Sequence, residues 1–168
     1  MRRGRWRAEA AANTPLSPAS ALPYAPATAS HPELKIEKRL IYRSMPFGFD
    51  RSMLAGILSA ARRNNPRLGI TGALVCRQDL YLQLIEGPGE AIDALYARIC
   101  EDDRHANVEL LLTEDMGERM FPNWAMLDDQ SPSLFWSAQH VAAGVLEAAS
   151  PDELRAPFAR LSAAHPGP

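Results

Sequence analysis

Four uncharged polar side chains interrupt otherwise apolar or helical stretches: Tyr42, Asn64, Asn65 and Gln83. A carboxamide carries a donor and an acceptor on one planar group, and a buried phenol needs a partner for its hydroxyl. Gln83 stands between Leu82 and Leu84 in LYLQLIE (80 to 86). Left without partners in an apolar strand it costs about 1 to 3 kcal/mol, so it must hydrogen-bond something. As a pair, Tyr42 and Gln83 fit a satisfied contact between neighbouring strands, because most buried polar groups serve structure. Asn64 and Asn65 shift that balance. They precede Pro66, an ordinary helix stop, yet together the four residues come from three separate segments that converge on one slot. A planar heteroaromatic ligand with an alternating donor and acceptor edge suits these groups, between apolar walls such as Ile57, Ile70 and Leu74.

The chain must supply a framework for that slot. Its 168 residues, 46% apolar and 23% charged, suit one globular domain with a real core. A net charge of −2 gives no broad attraction for nucleic acid or an anionic membrane, and neither is expected as a partner. Cys76 and Cys100 are not in C-x-x-C spacing, so neither a metal nor a disulfide framework is expected and a reducing cytoplasm fits best. No stretch approaches the roughly 20 apolar residues that span a bilayer. Residues 1 to 33, rich in Ala, Pro and Ser and without apolar periodicity, read as a disordered extension; Glu9, Asn13 and early prolines break any signal-peptide core.

Beyond that extension the periodicity alternates between strand and helix. IEKRLIYRS (36 to 44) predicts a strand with Leu40, Tyr42 and Ser44 on one face and Ile41 on the other. Asp50 is positioned to cap a helix bearing Met53, Leu54, Ile57, Leu58 and Ala61. Residues 69 to 77 and 80 to 86 predict a hairpin turning at Gln78-Asp79, with Tyr81, Gln83 and Ile85 opposite in face to Leu82 and Leu84. A second helix is expected from Glu90 to Cys100, then a strand over 108 to 116 and a short fifth strand including NWAML. The fold class is therefore α+β, a ferredoxin-like βαββαβ(β) sheet with two helices on one face. Since the hairpin is apolar on both faces, C-terminal helices should cover the other. One is expected over 133 to 149 through Leu134, Ala138, Val141, Val145 and Leu146. Another should open at the capping box Ser150-Pro151-Asp152-Glu153, with Pro157 limiting or kinking it.

RLIYRS, RRNNPRLGITGALV, YLQLIEGPGEAIDALYARICEDDRH and FPNWAML occur in an order and spacing that resemble the BLUF domains, blue-light sensors that hold a flavin. The resemblance divides the chain into the extension 1–33, a flavin-binding domain 34–128 and a helical cap or output segment 129–168. It implies FAD as cofactor, with FMN and riboflavin as alternatives, and no metal. It makes Tyr42 the electron donor and Gln83 the amide between phenol and ring, with Asn64 and Asn65 on the flavin carbonyl edge and Ile57 as a wall. Arg98, Asp102 and Arg104 match ligand contacts, although Arg98 and Asp102 at i,i+4 also read as a solvated ion pair. Trp124 and Met126 match fifth-strand relay residues, one of which lies beside the glutamine, against a reading of ordinary core packing; Ser44 adds a polar contact. The implied cycle moves an electron and a proton from Tyr42 toward the flavin, lets Gln83 rotate or tautomerise, and leaves a new hydrogen bond to the flavin C4 carbonyl. No enzyme activity is implied. The signal would pass to a homo-oligomer or a separate effector protein.

Rival classes find little support. An RNA-binding sheet wants exposed aromatics and basic residues, where these middle strands are aliphatic. A hydrolase needs a nucleophile and base, but His105 stands alone beside Arg104, and His31, His140 and His165 fall outside the expected core. Gly87-Pro88-Gly89 lacks the spacing of a phosphate loop. The remaining alternative is a flavin-free ferredoxin-like interaction domain.

Overall fold

The alternation of residues 36 to 44 becomes strand β1, Glu37–Pro46. Helical spacing in the next segment becomes α1, Arg51–Asn64, which buries Leu54, Ile57 and Leu58 and ends on Arg62 and Arg63, cations suited to a helix C-terminus. Asn65 and Pro66 do not simply stop it. They turn it into one 3-10 turn, Asn65–Leu68, closed by Gly69 at φ 66°, a left-handed conformation that glycine adopts without a Cβ penalty. The hairpin follows as β2, Thr71–Arg77, and β3, Leu80–Pro88. Its two-residue turn is braced by Arg77 Nε on Asp79 Oδ1 at 2.5 Å. Helix α2, Gly89–Cys100, and strand β4, His105–Met116, complete the βαββαβ order.

The sheet runs β4-β1-β3-β2, the ferredoxin-like order, and β5, Leu127–Asp129, adds to it in parallel beside β2. All other pairings are antiparallel. A bulge in β4 at Leu111, between the pairs Ile41–Leu112 and Tyr42–Leu110, bends the edge. The computed structural model describes residues 36–46, 51–130 and 136–167. The extension, the Asp50 cap and Leu134 lie outside the described residues. Among the described residues no helix is long and apolar enough to cross a membrane, and no group of three or more His, Cys, Asp or Glu could hold a metal ion.

Pleat alternation sorts the core into two layers. Leu40, Tyr42, Leu74, Tyr81 and Ile85 pack with α1 and α2, while Ile41, Ala73, Val75, Leu82 and Leu84 face the C-terminal segment. That segment is built differently from the single helix expected over 133 to 149. It forms two short helices, α3, Ala138–Ala142, and α4, Val145–Ala148. Gly144 breaks the run at φ 85°, and Ser137 caps α3 by accepting the His140 N–H at 3.2 Å. The capping box at Ser150 does open α5, Pro151–Ala164. Pro157 does not end it: the helix runs on to Ala164, with the proline buried alongside Leu154, Phe158 and Leu161. The fifth strand is also shorter than expected. Trp124, Ala125 and Met126 precede it: the Trp124 carbonyl accepts from Gly72 N of β2 outside the strand register, and the Ala125 and Met126 carbonyls accept from the side chains of Asn65 and Arg62.

Strands β2 and β3 approach so closely that a Cβ at Gly72 would lie 2.2 Å from the Leu84 carbonyl oxygen. Gly72→Ala is therefore expected to destabilise the fold by about 1 to 3 kcal/mol through overpacking. A urea midpoint that falls with an unchanged m-value is the expected reading; an unmoved midpoint contradicts the packing described here.

Candidate functional site

Register brings the central pair together. Tyr42 on β1 lies directly opposite Gln83 on β3, both on the face under α1 and α2. The phenol donates to Gln83 Oε1 at 2.5 Å, the short end of the O–H···O range. Burial, then Tyr96, Cys100 and Asp102, push the Tyr42 pKa well above the usual phenol value. The hydroxyl therefore remains a donor at neutral pH and holds the amide carbonyl toward itself. This turns the Gln83 N–H group the other way, 3.6 Å from Met126 Sδ. A thioether is a weak acceptor. Gln83 thus spends its acceptor on a strong bond and its donors on a weak one, inside a residue only 4% exposed.

The space beside this amide is a cavity of about 190 Å³. Tyr42, Ile57, Asn64, Asn65, Gln83, Arg98, Asp102 and Arg104 all line it, so the ligand-facing residues expected from the sequence share one slot. Ile70 and Leu74, expected as walls, pack in the core outside the cavity lining. Asn65 is 2% exposed and donates to the Ala125 carbonyl at 2.9 Å, which leaves its own carbonyl and second N–H. Asn64 sits exposed at the rim, with no side-chain cap bond to the following turn. Two larger hollows, about 630 Å³ beside α3 and about 670 Å³ beside α1, are lined mostly by exposed or half-buried side chains and hold no such buried amides.

At the mouth the charges pair differently from the i,i+4 reading. Helix α2 ends at Cys100, so Asp102 lies beyond it and binds Arg104 rather than Arg98, with Arg104 Nε 2.8 Å from Oδ1 and the backbone N–H at 3.0 Å. These bonds hold the Asp102 carboxyl down at about 2. The Arg104 guanidinium reaches across to α1, where a Cβ at Gly56 would meet it at 3.9 Å. The cavity is smaller than the ~300 Å³ at which ligand pockets usually begin.

Of the two relay candidates, Met126 reaches Gln83. Trp124 does not: its indole N–H donates to the His165 carbonyl at 3.1 Å, and its ring packs on the layer beneath α5. Ser44 lies away from the amide and bonds His105, Oγ to Nδ1 at 2.9 Å. His105 is the residue that sequence reasoning passed over. It is 8% exposed, lines the cavity, and sets its ring edge-on to Tyr42 at 6.3 Å and to Tyr81 at 5.9 Å. The signal was present, since Ser44 shares a face with Tyr42 and, once buried, needs a partner of its own. Tyr96 from α2 packs on Tyr42 from another side, ring centroids 5.7 Å apart.

A planar ligand that brings acceptors to Gln83, Asn64 and Asn65 and an anionic extension toward Arg98 fits these groups, and known proteins supply that ligand's class. The BLUF family model, sensors of blue-light using FAD, matches residues 38–127. The chain is 36% identical over 74 residues to the photoactivated adenylate cyclase subunit beta of Euglena gracilis, covering 44% of this chain and 9% of that protein. It is 37% identical over 65 residues to the blue light- and temperature-regulated antirepressor BluF of Escherichia coli (strain K12), 39% of this chain and 16% of that one. The match thus spans a small part of each of these relatives. Among solved structures, the dark state of the BLUF protein BlrB aligns with TM-score 0.65 and 29% identity over 78% of this chain and 98% of that chain. A bacterial light-regulated adenylyl cyclase aligns with TM-score 0.57 and 35% identity over 67% of this chain and 34% of that one. With the family model covering more than half of its length and nearly all of BlrB sharing its fold, this chain belongs to the BLUF family of blue-light sensors.

Proposed function

We propose that Tyr42 and Gln83 are the photoactive pair of this sensor and that the slot holds FAD. The observation that carries the reading is the Tyr42 to Gln83 hydrogen bond with the amide N–H left on a thioether. Bound flavin supplies absorption of blue light and transient acceptance of an electron and a proton. Asn64 and Asn65 orient its carbonyl edge, Ile57 walls the ring, and Arg98, Asp102 and Arg104 hold the polar chain that FAD carries beyond the ring. Tyr42 is the donor, because its hydroxyl is buried and already directed along a hydrogen bond. Loss and return of its proton removes for a moment the bond that holds the Gln83 carbonyl. Gln83 is then free to exchange its two ends or its tautomer, and either change alters what it presents to Met126 and to the ligand edge.

The altered network is the output. Low-dielectric hydrogen-bond networks have few satisfied arrangements, so a new one at Gln83 biases Met126 and the segment behind it. In this reading the signal passes in the cytoplasm to a partner protein or a second copy of the chain. The two homologues named above, a photoactivated cyclase and an antirepressor, support output of that general kind. The small cavity favours one alternative, a flavin-free interaction domain.

Absorbance of the protein supplied with FAD, before and after blue light, decides between them. A reversible red shift is expected, lost in Tyr42→Phe and in Gln83→Leu; no flavin uptake defeats the reading, and uptake without a shift leaves only binding.

His105 sets a second condition. Burial holds its pKa below the ordinary histidine value, with Asp102 pulling it up and Arg104 pushing it down. The unfolded chain, at about 6.5, takes the proton more readily. Stability is therefore full above that pH and falls as pH drops from about 6.5 toward the lowered folded value. Asp102, held down at about 2, stays ionised throughout. Melting temperature is expected to fall between about pH 7.5 and 5.5, and to fall less steeply in His105→Asn. Equal slopes in the two proteins contradict a neutral, buried imidazole.

A further inference from the structure

Glu86 lies three residues beyond Gln83 on β3 and, by alternation, on the opposite face. It is fully buried. Its carboxylate accepts from Met120 N, 2.9 Å to each oxygen, and from Phe121 N at 3.0 Å. Arg39 Nε adds a bond at 2.9 Å. Backbone N–H groups in a connection that crosses a sheet have no ladder partner, and a buried carboxylate can satisfy several at once. A pair of apolar residues would fill this space but would leave those groups unsatisfied.

The segment so held is the one that joins the two core layers. Phe121 is buried on the α5 side, ring edge to Phe158 at 6.4 Å. Met126, five residues on, is buried on the cavity side against Gln83. The same segment is tied to α5, because Ser162 Oγ donates to the Met120 carbonyl at 2.7 Å. A second route leaves Glu86 through its arginine. Arg39 also donates to Glu114 at 3.0 Å, and Glu114 accepts from Arg155 of α5 at 2.5 Å.

We propose that Glu86 is a positioning residue for the switch: its carboxylate fixes the Met120 to Phe121 turn as a fulcrum, so that displacement of Met126 at the cavity is transmitted to α5. The proposal rests on the reading of Gln83 and Met126 given above, but the coupling it asserts exists with or without light. A carboxylate at this point holds both ends of the lever, the backbone link to Ser162 and the ionic link to Arg155.

A double-mutant comparison on the full chain without flavin tests it. Met126→Ala disturbs the cavity end, and amide hydrogen exchange of residues 151 to 164 reads the far end. Met126→Ala is expected to speed that exchange several-fold in the Glu86 protein and to change it little in Glu86→Gln. An equal effect in both backgrounds, or none in either, overturns the proposal. Should Glu86→Gln not fold, Arg155→Ala with Ser162→Ala cuts both links at α5 and leaves the buried carboxylate in place; there too the effect of Met126→Ala on α5 is expected to vanish, and its persistence overturns the proposal. With FAD and blue light, Glu86→Gln is expected to keep the red shift while losing the light-dependent change in α5 exchange. A wild-type protein with no red shift defeats the photosensor reading, and the flavin-free comparison still decides the role of Glu86.

Discussion

A carboxamide in the middle of a sheet that is apolar on both faces is the constraint around which this structure is organised. Gln83 is almost wholly buried, so what lies near it is arranged by what its two ends require. Tyr42 meets the acceptor end from the next strand, and burial keeps that phenol protonated so that it can. Met126 meets the donor end only weakly. Had a strong acceptor stood there, both ends would be satisfied and the amide would have one stable orientation. The weakly held amide end is thus the one at which a ligand acceptor, on the proposed reading, would compete with the thioether.

The same demand for satisfied polar groups ties the cavity to the rest of the chain. Asn65 lines the slot and also donates to the Ala125 carbonyl, next to Met126. Arg62, at the end of the same helix, donates to the Met126 carbonyl at 3.1 Å. The residues around Met126 therefore belong to the cavity wall as much as to the strand they introduce. The short parallel strand fits this: the Ala125 and Met126 carbonyls accept from side chains of Asn65 and Arg62, and regular pairing with β2 begins only at Leu127.

Much of this was legible from period and spacing. Alternation with period 2 placed Tyr42 and Gln83 on one face and Ile41, Leu82 and Leu84 on the other, and helical spacing placed α1 and α2. What escaped was set by contacts between distant segments. Glu86 ends an apolar strand, where a glutamate ordinarily meets water, and its partners are backbone groups at Met120 and Phe121 that leave no mark in the side-chain pattern. Asp102 and Arg98 have the spacing of a helical pair, but the helix ends at Cys100, as its period predicts, and Asp102 beyond it turns to Arg104. The apolar spacing through Val141 and Leu146 predicts one helix, but Gly144 takes a left-handed conformation between them and divides it. His105 was judged by its neighbours in sequence, while its role depends on Ser44, far away in the chain.

Energy sets a limit on how such a network can act. Exchanging one buried hydrogen bond for another changes the balance by about 0.5 to 1.5 kcal/mol, which shifts an equilibrium about 2- to 12-fold. Moving a population from almost wholly one state to the other takes about 5.5 kcal/mol. Reorientation of Gln83 alone therefore biases the protein and does not throw it. A steeper response requires several contacts to change together, and the stretch from Met120 to Met126 has that property. Glu86, Gly72, Asn65, Arg62 and Ser162 all hold it, from the cavity side, the sheet and α5. A shift large enough to break one of these bonds strains the others, because they share seven consecutive residues. The segment therefore rearranges as a unit or not at all, and the small energy released at one amide can only bias which of its arrangements is populated.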